Sequence, residues 1–250
     1  MTDFLLVHGG SHGAWCWERL IPELAALGHR GFALDLPGAG DDPTPRDRVT
    51  VVGCLDAVDR FIDDLTEDGK LADFVLVGHS IHGMLLPGIA LRHPRRVREV
   101  VFLAALVLDR GERAIDFIPE ARRPSYYERA AASADGTLTV GFEDAWGRFF
   151  TGLPEADARA CYARLTPQTF GVYLEPTATS ARDLQIPKRY VLCLRDVTFP
   201  PELCRRLAAK LGGSVAELDA GHGPMLSHPA ELAHLLVAPY GFAPSPGGSG

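Results

Sequence analysis

The chain has 250 residues, of which 46% are hydrophobic and 23% charged, with a formal net charge of −7. That length suits one α/β domain with room for an insertion, and the lack of a basic excess excludes nucleic-acid binding through phosphate neutralisation. Arg95, Arg96 and Arg98, the densest basic run, read as a solvated helix end.

Phe4–Val7 reads as the first strand, which leaves no room ahead of it for a signal peptide. The glycine-rich turn His8-Gly9-Gly10-Ser11-His12-Gly13 follows. Glycines there let a backbone amide approach a ligand closely, and Gly10 is our candidate donor to an oxyanion. A helix over Trp15–Leu27 stops at Gly28, and Phe32–Asp35 is the second strand. Val51–Leu65 has helical periodicity, with Leu55, Val58, Ile62 and Leu65 on one side. Phe74–Val77 is a third strand, Ile81–His93 a helix and Val100–Val107 a continuous apolar strand. Tyr190–Leu194 and Ser214–Leu218 are the last strands, beside helices Pro201–Leu211 and Pro229–Val237. Alternating apolar strands and helices predict an α/β fold: a mostly parallel sheet of about six strands with helices on both faces.

The alternation stops between Val107 and Tyr190. This stretch is too long for a plain loop, so residues 108–188 are read as an inserted helical cap over the C-terminal edge of the sheet, where ligands of open α/β folds bind. Most of its aromatics, among them Tyr126, Tyr162, Phe170 and Tyr173, read as the cap's own core. Residues 1–107 and 189–242 then form the main body, and the Pro/Gly/Ser-rich residues 243–250 a disordered tail. The five cysteines are scattered without a C-x-x-C pair, which predicts reduced thiols in a cytoplasmic protein. The longest apolar run, Val100–Leu108, is far short of the ~20 residues a membrane span needs. Neither metal-ligand spacing nor a dinucleotide or phosphate loop is visible, so no metal or cofactor is expected.

Residues 75–84, VLVGHSIHGM, run from a strand through Gly78-His79-Ser80 into a helix. A sharp turn of this kind presents a serine hydroxyl above the sheet and aims the first helical amides at the same space. Ser80 is therefore a candidate nucleophile, against the plain alternative of a helix N-cap. The usual pattern is G-x-S-x-G, but here His82 takes the second glycine's place and Gly83 follows one residue late. His222, in the loop Asp219-Ala220-Gly221-His222-Gly223-Pro224 beyond the last strand, is the candidate base. Two carboxylates sit after strands between Ser80 and His222, Asp196 and Asp109, and either could orient the imidazole if it reaches the ring.

Four segments resemble the plant-type methylesterase and hydroxynitrile lyase group of the α/β-hydrolase superfamily. They are VHGGSHGAWCWERLIPELAALGHRGFALDLPGAG, FVLVGHSIHGM, YVLCLRDVTFPPE and AGHGPMLSHPAEL, and the likeness spans roughly residues 4–110 and 145–240. Residues 111–144 match poorly. The resemblance implies an α/β-hydrolase fold and a Ser80–His222–Asp196 triad, with the oxyanion held by the amides of Gly10 and Ile81. It also separates two chemistries. The lyases of the group carry Thr where this chain has Gly9, and a cyanide-stabilising Lys where it has Gly223. Hydrolysis of a small, largely apolar ester, such as a methyl ester or lactone, is therefore favoured. A lyase using the same triad as base, and a non-catalytic binder of small aromatic molecules, are the alternatives.

His12, His82 and Trp146 are candidate substrate contacts. His82 has two readings: a neutral, hydrogen-bonded core residue, or a ring that touches substrate or retunes the triad. Pro87 breaks a second local rule, and the two oddities are expected to compensate, with the helix bent at Gly83 to admit the imidazole. The expected partner is a small-molecule substrate, with no nucleic acid or membrane; a homodimer is left open.

Overall fold

The computed structural model describes residues 1–239, so the tail at 243–250 lies outside the described residues. The first half comprises β1 (Asp3–Val7), α1 (Leu20–Ala26), β2 (Arg30–Leu34), α2 (Val51–Glu67), β3 (Phe74–His79), α3 (Leu86–Arg92) and β4 (Val97–Leu103). The segment after β4 carries α4 (Arg123–Ala131), β5 (Thr137–Leu138), α5 (Phe142–Phe149), α6 (Glu155–Tyr162), β6 (Gln168–Thr169) and α7 (Gly171–Leu174). The chain then returns as β7 (Lys188–Cys193), α8 (Pro201–Leu211), β8 (Ser214–Leu218), α9 (Pro224–Ser227) and α10 (Pro229–Val237).

The six long strands form one parallel sheet in the order β2-β1-β3-β4-β7-β8. Its apolar runs are buried on both faces. Leu5, Val7, Leu76, Val100 and Phe102 enter one core, while Phe4, Leu6, Val75, Val77, Val101 and Leu103 enter the other. Side chains of a strand alternate between faces, so a continuous apolar run supplies both cores at once. The fold is that of an α/β hydrolase, as the resemblance implied. No helix among the described residues is long and apolar enough to cross a membrane.

Three predicted elements differ in detail. The helix expected over Trp15–Leu27 is a 3₁₀ turn at Ala14–Trp17 followed by α1. The strand expected to reach Val107 ends at Leu103, because Ala104 turns into a left-handed conformation (φ 42°). Residues 104–108 stay buried, held by a different set of bonds. The Tyr190 hydroxyl donates to the Ala105 carbonyl (2.9 Å) and accepts its amide (3.1 Å), and Leu106 N–H donates to the Ser80 carbonyl (2.9 Å). An apolar run reports burial, not strand pairing.

The third difference is the expected helix over Ile81–His93, which is a 3₁₀ stretch at Ser80–Leu85 running into α3. Pro87 has no N–H to offer the carbonyl four residues back, and that Gly83 carbonyl accepts the Leu86 amide instead. The winding is thus irregular around Gly83, a 3₁₀ stretch that gives way to α3. Between β4 and β7 the structure adds an antiparallel pair, β5 with β6, to the expected helices. Ala145, Phe150, Ala158 and Cys161 from this segment join one of the sheet's cores, while Ile115, Tyr126, Ala130, Leu138 and Phe170 form a small cluster apart.

Candidate active site

The elbow at the end of β3 is built by close approach. A Cβ on Gly78 would lie 2.5 Å from Leu86 Cδ2, so only glycine lets strand and helix pass at this distance. Ser80 itself is left-handed (φ 57°), a conformation that costs an L-residue about 1–2 kcal/mol. That strain lifts the hydroxyl clear of the sheet.

Two further strand ends converge on it. The loop after β8 brings His222 Nε2 to 2.8 Å from Ser80 Oγ, and the loop after β7 brings Asp196 Oδ2 to 2.7 Å from His222 Nδ1. Asp196 Oδ1 accepts the amides of Thr198 and Phe199, both at 2.8 Å. With its other oxygen committed in this way, Asp196 Oδ2 accepts a hydrogen bond from His222 Nδ1–H, which leaves Nε2 to accept from Ser80. Asp196 and His222 are almost completely buried, and Ser80 is 9% exposed. The competing carboxylate, Asp109, faces Ser180, Arg182 and Lys210 instead.

Glycines on both sides of His222 have the same role as Gly78. A Cβ on Gly221 would lie 2.8 Å from Thr151 Cβ, and one on Gly223 2.5 Å from the Phe149 carbonyl oxygen. The histidine loop therefore lies tight against residues 149–151. Gly223→Ala is expected to lower kcat at least tenfold and to cost about 1–3 kcal/mol, the usual range for overpacking. Steady-state kinetics and a thermal melt check this; unchanged kinetics would mean that the loop can shift without moving His222.

A cavity of about 880 Å³ opens above this group. Gly10, Ile81, Ser80 and His222 lie on its wall, and among the described residues neither the Gly10 nor the Ile81 amide donates to a protein acceptor. Phe117, Ile118, Tyr126, Phe149, Phe199 and Leu203 give it an apolar lining, and Arg122, Arg206, Glu120 and Glu202 stand at its exposed parts. Part of this wall comes from residues 112–126, within the stretch that matched the family pattern poorly.

Of the three candidate substrate contacts, only His12 lines the cavity, stacked on Trp15 with its Nδ1–H donating to the Gly10 carbonyl at 2.8 Å. Trp146 does not: it stacks on Phe142 and donates to the Leu153 carbonyl (3.3 Å), as part of the helical packing. His82 does not either: it is buried, and its Nδ1–H donates to the His8 carbonyl at 2.8 Å. Both expectations are corrected: neither ring is in the cavity lining, and each donates to a backbone carbonyl instead.

Sequence reasoning missed three residues that hold the site in place. His79 Nε2–H donates to the His222 carbonyl (2.8 Å), tying the elbow to the histidine loop. Gln168 Oε1 accepts the Ser11 amide (2.9 Å). Tyr190 anchors the chain after β4. His79 stood beside Ser80 and could have been suspected; Gln168 gave no signal. Burial is the main cause that pushes His8 down to about 3, His12 and His82 to about 4, and His79 well below the ordinary imidazole range. All four are therefore neutral at neutral pH.

Comparison with known proteins bears on the fold and the class of reaction. A model of the alpha/beta hydrolase family matches residues 4–235. The probable esterase PIR7A of Oryza sativa subsp. indica is 41% identical, covering 94% of this chain and 95% of that protein. A carbendazim hydrolyzing esterase of Nocardioides sp. is 29% identical, covering 95% of this chain and 99% of the relative. Among solved structures, an extracellular alpha/beta-hydrolase from a Paenibacillus species superposes with a TM-score of 0.85 at 26% identity, over 95% of this chain and 98% of that one. Matched over nearly its whole length by esterases, the chain belongs to the alpha/beta hydrolase family and is a carboxylic ester hydrolase.

Proposed function

We propose that Ser80, His222 and Asp196 hydrolyse an ester through an acyl-enzyme. The observation that carries this reading is the continuous hydrogen-bonded relay from Asp196 through His222 to Ser80, at 2.7 and 2.8 Å, on the wall of the cavity. Ser80 Oγ forms a bond to the ester carbonyl carbon while His222 Nε2 takes its proton. The carbonyl oxygen becomes an oxyanion and accepts from the Gly10 and Ile81 amides. The tetrahedral intermediate collapses, the C–O bond to the alcohol breaks, and His222 returns its proton to the leaving oxygen. Water, deprotonated by His222, then attacks the acyl carbon; the bond to Ser80 Oγ breaks as His222 returns the proton to that oxygen, and the acid leaves.

The residues at the two positions that mark the lyases support hydrolysis. A Cβ on Gly9 would lie 2.5 Å from His79 Nδ1 and 2.9 Å from Ser80 Cβ, and one on Gly223 would meet the Phe149 carbonyl. The side chains those lyases use have no room here. The apolar lining favours an ester with an apolar acyl body, and a cavity near the upper end of the ~300–1,000 Å³ common for small-molecule sites admits more than a minimal methyl ester. Residues 108–188 act as the cap in this reading, supplying Phe117, Ile118, Tyr126 and Phe149 to the wall. Five free, buried thiols fit a reducing, cytoplasmic setting.

The test is mass spectrometry after treatment with a fluorophosphonate, comparing the native chain with Ser80→Ala. A single adduct on Ser80, absent from the variant, supports the reading. A native chain that folds, takes no adduct and turns over no activated ester sinks it.

A further inference from the structure

His82 stands where the elbow pattern has glycine, and it is one of four buried histidines packed around the start of the chain's glycine-rich turn. Three of them bond to successive carbonyls of that turn. His82 Nδ1–H donates to the His8 carbonyl, His8 Nδ1–H to the Gly9 carbonyl and His12 Nδ1–H to the Gly10 carbonyl, each at 2.8 Å. The arrangement has a geometric consequence. A trans peptide is a rigid plane with C=O of one residue and N–H of the next at opposite ends. Fixing the Gly9 carbonyl therefore fixes the direction of the Gly10 amide, which lies on the cavity wall without a protein acceptor among the described residues. The plane beyond it is held at both ends, since the Ser11 amide donates to Gln168 Oε1 at 2.9 Å.

His82 occupies a particular place in this set. It follows Ile81 directly in the elbow, and its bond crosses to residue 8, directly before the Gly9–Gly10 turn. One hydrogen bond thus spans the two segments that carry the two free amides. The His8 ring meets the His82 ring edge to face (centroids 5.5 Å apart, 79° between planes) and is held from its other side by the Leu36 amide at 3.1 Å.

We propose that His82 is a positioning residue that sets the spacing between the Ile81 and Gly10 amides, so that both meet the same oxyanion. The proposal rests on the ester-hydrolysis reading above. A glycine at this position carries no side-chain donor, so this chain has replaced whatever fixes that spacing in the G-x-S-x-G pattern with an imidazole bridge. The ring acts through the backbone and does not touch substrate. The neutral state of His8 belongs to the same device, because only a neutral ring can donate from Nδ1 and accept from Leu36 at Nε2 together.

The experiment measures two rates in the full chain: phosphonylation of Ser80 by a fluorophosphonate, and kcat with KM for p-nitrophenyl butyrate. His82→Phe keeps a planar ring of similar size and removes the donor. It is expected to lower both the phosphonylation rate and kcat by about 10- to 100-fold, below the ~10²–10³ for outright loss of an oxyanion donor, with KM changed less than about threefold. His82→Asn places an amide N–H near the Nδ1 position and is expected to recover most of both rates. Where His82→Phe fails to fold, His82→Gly carries the same comparison. A His82→Phe or His82→Gly protein that melts lower but phosphonylates and turns over like the native chain overturns the proposal and leaves a purely structural histidine. Failure of Asn to recover the rate while the protein stays folded also overturns it. A native chain that takes no adduct on Ser80 overturns the ester-hydrolysis reading itself, and this proposal with it.

Discussion

Asp196→Asn is expected to lower kcat by about four orders of magnitude while the melting temperature changes little. The reason lies in how the carboxylate is held. Oδ1 accepts the amides of Thr198 and Phe199, and an asparagine keeps those bonds only by placing its carbonyl oxygen there. Its NH₂ group then faces His222 Nδ1, where the carboxylate Oδ2 now accepts at 2.7 Å. Nδ1 must become the acceptor, so the ring's proton moves to Nε2, and Nε2 can no longer take a proton from Ser80. The packing is unchanged and only the tautomer is wrong. Kinetics on p-nitrophenyl butyrate with a parallel thermal melt check this. A variant within tenfold of the native kcat would show that Asp196 is not the group that orients His222.

The second large effect is on stability. His8, His12 and His82 are buried and neutral, drawn down to about 3, about 4 and about 4 mainly by desolvation. In the unfolded chain each titrates near 6.5. Between pH 6.5 and about 4 the unfolded state therefore binds protons that the folded state refuses, so stability falls as the pH falls. Each group contributes a loss of about 1.4 kcal/mol per pH unit in that window and nothing above it. Together the three remove on the order of 6 kcal/mol by pH 5, comparable with the ~5–15 kcal/mol that holds most domains folded. Urea unfolding at pH 7.5, 6.5, 5.5 and 5.0 is the measurement. Flat stability between pH 6.5 and 5 would mean that these imidazoles become charged without unfolding the protein.

Ser80, Asp196 and His222 were legible because each follows a strand end, and a parallel sheet brings all its strand C-termini to one edge. Choosing Asp196 over Asp109 needed the likeness of YVLCLRDVTFPPE to a known segment, since both aspartates follow apolar strands. The folded chain separates them: one reaches the imidazole, the other pairs with Arg182 and Lys210. Helices α8 and α10 and strand β8 lie where periodicity placed them. The strand after Val100 ran too long in the sequence reading, because residues 104–108 are as apolar as a strand but are bonded by the Tyr190 hydroxyl and the Ser80 carbonyl. His82 was visible as an anomaly, yet its bond to the His8 carbonyl joins residues 74 apart and could not be read from spacing.

By itself the amino-acid order determined the alternation of strand and helix, the burial of the strands on both faces and the order of Ser80, Asp196 and His222 along the chain. Local periodicity and turn chemistry act over a few residues, and they suffice for that. Only the tertiary structure decided which carboxylate meets the imidazole, why glycine brackets His222 and where the His82 ring points. Those are matters of contact between segments far apart in sequence, set by how closely backbones can approach once the sheet has assembled.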